Sequence, residues 1–476
     1  MPEPFETVVG LEVHCELSTA TKLFCGCANA FGSEPNTNIC PVCLGLPGSL
    51  PVLNRRAVEL AMRIGAALNC EIKPSIFHRK NYFYPDMPKD YQVSQYDEPI
   101  NVNGHLELPD GSSVGIERAH IEEDTGKTTH VGGSGGRIHG ADHSLVDYNR
   151  AGVPLVEIVS RPDIRSAEQA RAYVAELRAI LVATGASDGR MEEGSLRVDA
   201  NISVRPQGSS EYGTRCEVKN MNSLRSLVRA IDYEAERQAR LVAAGERVVQ
   251  ETRHFDENQA RTYSLRSKEE AYDYRYFPEP DLVPVVPDAA LLEAAGQGVG
   301  VMPAERRRRL TSLVGTDGTG EQIQTVIELD LDGLVLAAVE AGAEARLALA
   351  RTANEAAARA SGAAGLDPVA YAALLRLESG GKLSATQTKT VLTELIDGGG
   401  HGDPAEIAHR LGYEAMDSSE LDGIVDDVIA GNAKEWERFC AGDPKVSQFL
   451  LGQVMKATKG RANGKLVAAA FEARRR

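Results

Sequence analysis

A proline-rich run, Phe277-Pro-Glu-Pro-Asp-Leu-Val-Pro-Val-Val-Pro287, divides the chain into two parts of different character. Proline lacks the N–H that a helix interior or a central strand requires, so the run reads as an extended connector. Before it, short alternating stretches mix with helical ones and with Gly and Pro punctuation. After it, Ala, Leu, Glu and Arg dominate at helical spacing, and Gly398-Gly-Gly-His-Gly-Asp-Pro404 divides that part again. The expectation is an α+β domain over 1–294, an all-α domain over 295–402 and a small helical tail over 403–476. In the tail, Asp443-Pro444 supplies an N-cap and a first-turn proline, and Val446, Phe449, Leu450 and Val454 form an apolar stripe ending before Gly460.

In the first part the alternation is chemically loaded. Gly10 to Leu17 places Glu12, His14 and Glu16 on one side of a strand and Leu11, Val13, Cys15 and Leu17 on the other. Residues two apart on a strand sit ~7 Å apart, so two carboxylates and an imidazole can meet one cation or one phosphate. A half-buried strand with its polar side in water has the same pattern. Ser195 to Arg205 repeats it, with Arg197, Asp199, Asn201, Ser203 and Arg205 opposite Leu196, Val198, Ala200, Ile202 and Val204. Thr214 to Asn220 sets Arg215, Glu217 and Lys219 on one side. Charged faces on several strands suggest a sheet that holds a polar ligand, with helices at 54–68 and 166–184.

The net charge of −16 excludes a global basic field for nucleic acid, although Lys456, Lys459, Arg461, Lys465 and Arg474 to Arg476 make a local basic patch. No apolar run approaches the ~20 residues needed to cross a bilayer, and the start MPEPFETVVG lacks signal-peptide features, so a cytoplasmic protein without membrane contact is expected. Four of the eight cysteines cluster as Cys25-Gly-Cys27 and Cys40-Pro-Val-Cys43. In a reducing compartment two close thiolate pairs suit a structural Zn²⁺ with no open position, and two redox dithiols are the alternative.

Glu122-Glu-Asp-Thr-Gly-Lys-Thr128 ends like a phosphate-binding loop but has Ile121 where the first glycine belongs. Its carboxylates suit a nucleotide only with a divalent ion between them. Gly132-Gly-Ser-Gly-Gly136 reads as a surface loop. Glu157 interrupts the apolar run Val153 to Val159 and needs a partner, either a neighbouring arginine (Arg150, Arg161) or a metal. His14, the Glu122 to Asp124 cluster and Glu157 bring an imidazole and carboxylates from three segments. Arg79-Lys-Asn-Tyr-Phe-Tyr-Pro-Asp86 sets two cations beside three aromatics, which suits phosphate with a base or ribose, or a surface cation–π cluster.

These blocks, with Val9-Gly-Leu-Glu-Val-His14, Ser144-Leu-Val-Asp-Tyr-Asn-Arg-Ala-Gly152, Met191-Glu-Glu-Gly-Ser195, Glu217-Val-Lys-Asn-Met-Asn-Ser223, Tyr274 to Asp281 and Gly452 to Gly460, resemble the GatB family along essentially the whole chain. GatB proteins are components of the tRNA-dependent amidotransferases. The resemblance implies a cradle-shaped catalytic domain of the glutamine synthetase and guanido-kinase type, a helical domain and a YqeY-like tail that contacts tRNA. It implies partners GatA, a glutaminase, and GatC. It also implies ATP-dependent phosphorylation of the side-chain carboxylate of misacylated Glu-tRNA(Gln) or Asp-tRNA(Asn), followed by amidation with ammonia.

The family's Mg²⁺ ligands fall on His14, Glu123 and Glu157, with Glu12 in support. Arg79, Lys80 and Lys219 are candidates for phosphate or substrate carboxylate, and Asp199, Asn201 and Glu217 for orienting nucleotide or ammonia. Cys25, Cys27, Cys40 and Cys43 match the zinc site found in some members. The rival readings are a stand-alone ATP-dependent small-acid kinase or ligase, and a zinc-containing RNA-binding module.

Overall fold

The alternating stretches form strands of one large sheet. The computed structural model describes residues 5–132, 140–267, 274–413, 418–458, 462 and 464–475. The loop expected at Gly132 to Gly136 lies mostly outside them, as do Lys459, Arg461 and Arg476. The strands are β1 (Phe5–Glu16), β2 (Glu71–Ile72), β3 (His78–Asn81), β4 (Tyr91–Ser94), β5 (Asn101–Glu107), β6 (Ser113–Glu123) and β7 (Lys127–Val131). They continue as β8 (His143–Asp147), β9 (Pro154–Ser160), β10 (Leu196–Pro206), β11 (Cys216–Met221), β12 (Glu251–Asp256), β13 (Arg261–Ser267) and β14 (Phe277–Pro278).

The main sheet runs β13-β12-β11-β10-β1-β9-β6-β4-β3-β14, with β5 and β2 branching from β6, while β7 and β8 form a separate hairpin. Its pairings are antiparallel except for β11 with β12. One face carries the core: Leu11 and Val13 of β1, Ile158 of β9 and Ile202 of β10 pack with helices α1 (Arg55–Ala67), α2 (Ala167–Ala183) and α3 (Leu224–Ala243). Each fully buried side chain of this kind contributes roughly 1.5–3 kcal/mol. The helices start where the sequence supplies caps: Asn54, Ser166 and Ser223 accept N–H bonds from their first turns.

Strand β6 breaks its own alternation. Val114 and Ile116 face the core, Glu117 is an extra residue opposite β9, and then Ala119 and Ile121 face the core. This β-bulge reverses the parity of everything after it. On the β5 side, Asn103 answers with a left-handed φ of 55°. His120 and Glu122 thereby leave the core face for the polar one.

The chain divides into two compact units, Met1–Ala304 and Glu305–Arg476. The boundary expected at 294/295 falls inside α4 (Ala289–Gln297), whose Leu291 and Ala295 join the core of the first unit. The second unit is helical and holds two separate cores. One runs from Leu310 to Ala408 with Tyr413 against it, so the helix Pro404–Arg410 belongs to it and the expected boundary at 402/403 moves beyond Tyr413. The other joins Leu421, Val425, Phe439, Val446, Leu450, Val454 and Phe471. The helix Pro444–Ala457 carries the expected stripe except for Phe449, which is exposed. No helix among the described residues is long and apolar enough to cross a membrane.

Candidate functional site

Adjacent strands present their polar residues side by side on the face away from α1, α2 and α3. Register sets the rows: Glu217 of β11 lies beside Asn201 of β10, Asp199 beside Glu12 of β1, and His14 beside Arg197 on one side and Glu157 of β9 on the other. His120 of β6 follows beside Glu157. The result is a continuous polar strip across five strands.

At its centre one ring nitrogen of His14 and one carboxylate oxygen each of Glu122 and Glu157 lie within 4.8 Å of one another. His14 Nε2 is 3.9 Å from Glu122 Oε1 and 3.8 Å from Glu157 Oε2. Two carboxylates and one imidazole fit a divalent cation that still needs phosphate oxygens, as Mg²⁺ does. Burial opposes the charge of Glu122, but His120, Lys80 and His14 outweigh it and hold its carboxyl down at about 2.

Glu123 is placed elsewhere. Successive strand residues point to opposite faces, so Glu123 turns toward the other side. There it pairs with Lys89 and accepts the Val93 N–H at 2.9 Å, with its side chain 2% exposed. The structure thus sets Glu122, not Glu123, beside His14 and Glu157. The same pleat separates Arg79 from Lys80. Arg79 is clamped by Glu279 through Nε at 2.7 Å and Nη2 at 2.8 Å, with Asp281 at 3.3 Å, so its charge is already matched and it does not join the strip. Lys80 does join it: its Nζ lies 4.8 Å over the Tyr274 ring. Burial disfavours its charge, yet Glu122, Tyr276, Tyr274 and Glu157 raise its pKa above the ordinary value.

At the far end of the strip, Lys219 Nζ lies 2.5 Å from Asp199 Oδ2 and 2.8 Å from Glu217 Oε1. Asn201 Nδ2 donates to Glu12 Oε1 at 2.8 Å. Burial, with Glu157 and Glu217 adding, pushes the Glu12 carboxyl up, against Asn201 and Lys219. At the near end, burial with Asp124 beside it pushes the Glu16 carboxyl up to about 7, and Arg197 bonds Asp124 at 2.7 Å. Glu16 also walls a cleft of about 510 Å³ shared with Lys127, Arg150, Asp188 and Ser195.

The four thiols of Cys25, Cys27, Cys40 and Cys43 also lie within 4.8 Å of one another. Cys40 and Cys43 sulfurs are 3.9 Å apart, near the ~3.8 Å edge that a tetrahedron with Zn–S bonds of ~2.3 Å requires. The Cys25 thiol, hydrogen-bonded to Cys43, holds the Cys43 thiol down at about 5. This set fits Zn²⁺ and leaves no protein ligand position open for chemistry.

The sequence pattern did not single out His120, nor Glu122 as a member of this trio. The signal was present: His120, Glu122 and Asp124 alternate with Ala119 and Ile121.

A family model described as the GatB/GatE catalytic domain matches residues 7–293, and one described as the GatB domain matches residues 334–474. The B component of the aspartyl/glutamyl-tRNA(Asn/Gln) amidotransferase of Mycobacterium sp. (strain KMS) is 51% identical over 476 residues, covering 96% of this chain and 94% of its own. The protein of the same name from Frankia casuarinae is 50% identical, covering 97% and 94%. That from Mycobacterium tuberculosis (strain CDC 1551 / Oshkosh) is 50% identical, covering 96% and 92%. A catalytic-domain match over more than half the chain, joined to relatives of this identity and coverage, shows that the chain belongs to the GatB family of tRNA-dependent amidotransferase subunits.

Proposed function

We propose that this protein activates the side-chain carboxylate of Glu-tRNA(Gln), Asp-tRNA(Asn) or both with ATP, and that ammonia from a glutaminase partner then replaces the phosphate. The observation that carries the reading is the trio His14, Glu122 and Glu157 at the centre of a polar sheet face, in a chain of this family. A sheet backed by helices on one face and polar on the other also suits the expected cradle of the glutamine synthetase and guanido-kinase type.

A carboxylate is a poor acylating agent, and phosphoryl transfer depends mainly on positioning and charge neutralisation. His14, Glu122 and Glu157 would hold Mg²⁺, which when bound offsets the charge of the phosphate oxygens. Lys80, half-buried beside the two carboxylates, adds fixed positive charge at the same place. Lys219 is already matched by Asp199 and Glu217, so this group, with the Glu12–Asn201 pair beside it, serves to orient nucleotide or ammonia and is not a free cation for the substrate carboxylate. Zn²⁺ on the four cysteines would fix the 25–43 loop and take no part in the chemistry. GatA and GatC are the partners, the cytoplasm the compartment, and the helical tail the contact to tRNA.

The test is reconstitution with GatA and GatC, ATP, glutamine and each mischarged tRNA, side by side. Formation of Gln-tRNA(Gln) or Asn-tRNA(Asn), lost on Glu122→Ala, is expected. Turnover of free glutamate without tRNA favours the stand-alone kinase, and ATP hydrolysis never coupled to aminoacyl-tRNA favours the RNA-binding module; either result overturns the reading.

A further inference from the structure

His120 is buried on the sheet's polar face, where β6 passes β9, its side chain 5% exposed. Its Nε2 lies 3.4 Å from Glu157 Oε2 and 3.8 Å from Glu122 Oε2. Its Nδ1 is buried and has no hydrogen-bond partner among the described residues. A buried ring nitrogen without a partner costs roughly 1–3 kcal/mol, and an apolar residue of similar shape would fill the position without that cost. Packing therefore does not account for an imidazole here, whereas the two carboxylates do.

Glu122 and Glu157 sit on neighbouring strands and direct oxygens at His14. Each carboxylate can rotate about its last torsion, which is broad and weakly staggered. Two like charges left to rotate at this separation turn away from each other. A single N–H set between them, its nitrogen 3.4 Å from one and 3.8 Å from the other, draws an oxygen of each toward itself and so restrains that rotation. Ser94 Oγ, at 3.4 Å from Glu122 Oε2, supports one carboxylate only; His120 spans the pair.

We propose that His120 is a positioning residue of the cation site: its Nε2–H bridges Glu122 and Glu157 and holds the pair oriented toward His14. The bulge at Glu117 is the backbone device that puts it there, since it brings His120 and Glu122 to the polar face together. Groups that orient metal ligands in this way typically carry a 10–100-fold effect on metal affinity. The inference rests on the reading of His14, Glu122 and Glu157 as a cation site.

The probe is Mn²⁺ alone, titrated into the full-length chain and followed by electron paramagnetic resonance, with ¹⁴N couplings counted by pulsed measurement. His120→Ala is expected to raise the Mn²⁺ dissociation constant 10–100-fold while one imidazole coupling, that of His14, remains. His120→Gln, which keeps an N–H donor, is expected to recover most of the loss, with melting temperature as the control for folding. Wild-type affinity in His120→Ala overturns the inference and leaves the cation site standing. Two imidazole couplings in the wild type, one lost in His120→Ala, make His120 a ligand and overturn the positioning role. Absence of Mn²⁺ binding in the wild type overturns both the inference and the cation-site reading.

Discussion

Neutralising Glu122 and neutralising Glu123 should have opposite signatures, although the two residues are adjacent. Glu122→Gln removes one of the two carboxylates beside His14. One unit of charge at 4 Å and an effective dielectric of ~20 is worth about 4 kcal/mol per unit of opposing charge, or about 8 kcal/mol for a divalent cation. Desolvation of the carboxylate takes back several kcal/mol of that, so divalent-cation affinity should fall by at least on the order of a thousandfold. Glu123→Gln instead strands Lys89, whose side chain is 9% exposed and whose partner is 2% exposed. Breaking a buried pair costs about 3–5 kcal/mol. The Gln oxygen can still accept the Val93 N–H. A net loss of about 2–4 kcal/mol at roughly 2 °C per kcal/mol lowers the melting temperature by about 4–8 °C. Mn²⁺ titration and thermal melts on both variants decide it. Lost Mn²⁺ binding in Glu123→Gln with binding kept in Glu122→Gln would refute the assignment by strand parity.

Cys40→Ser should remove bound zinc, measured by metal analysis, and lower the melting temperature while leaving Mn²⁺ affinity intact; a zinc-free protein that melts like the wild type contradicts a structural zinc. Glu234, with no side-chain exposure, sits under Arg237 and Arg253. Burial favours its neutral form, but Arg237, Gln238 and Thr262 outweigh this and lower its pKa. Its contribution is therefore present above the ordinary carboxylate range and lost as pH falls through its folded pKa. Glu234→Gln should cost about 3–5 kcal/mol at neutral pH; the gap in melting temperature should close on acidification below pH ~4, and a gap independent of pH sinks the argument. Removing residues 414–476, which takes away the last helical core and spares the one ending at Tyr413, should weaken tRNA binding in filter assays without changing Mn²⁺ affinity; unchanged tRNA affinity excludes the tail as a contact.

Local order was legible where a single period ran unbroken. The alternation at 10–17 became β1, that at 195–205 became β10, and the helices expected at 54–68 and 166–184 start at Asn54 and Ser166 caps. Boundaries between units were less so, because whether the helix at 289–297 joins the sheet domain depends on Leu291 and Ala295 finding α1 and its neighbours, a packing choice that composition does not encode. At the site, Glu157 could be singled out because it interrupts an apolar run, and His14 because it shares the polar side of an unbroken alternation with Glu12 and Glu16. The pairing of Lys80 with the strip and of Arg79 with Glu279 required the pleat, and Glu279 lies 200 residues away.

The choice between Glu122 and Glu123 turns on one extra residue. Had the alternation of Val114 and Ile116 continued without interruption, His120 and Glu122 would point into the helices and Glu123 would face His14. Burying a histidine and an unpaired carboxylate against apolar helices costs several kcal/mol, far more than the ladder irregularity at a bulge, whereas Ala119 and Ile121 are welcome there. The sequence from Ala119 to Asp124 is thus compatible with only one parity, and the bulge at Glu117, matched by Asn103 in the left-handed region, reconciles it with the opposite parity of the strand's first half. A local defect in pairing is what keeps the apolar residues of both halves of the strand in the core while His120 and Glu122 take the polar face beside Glu157 and His14.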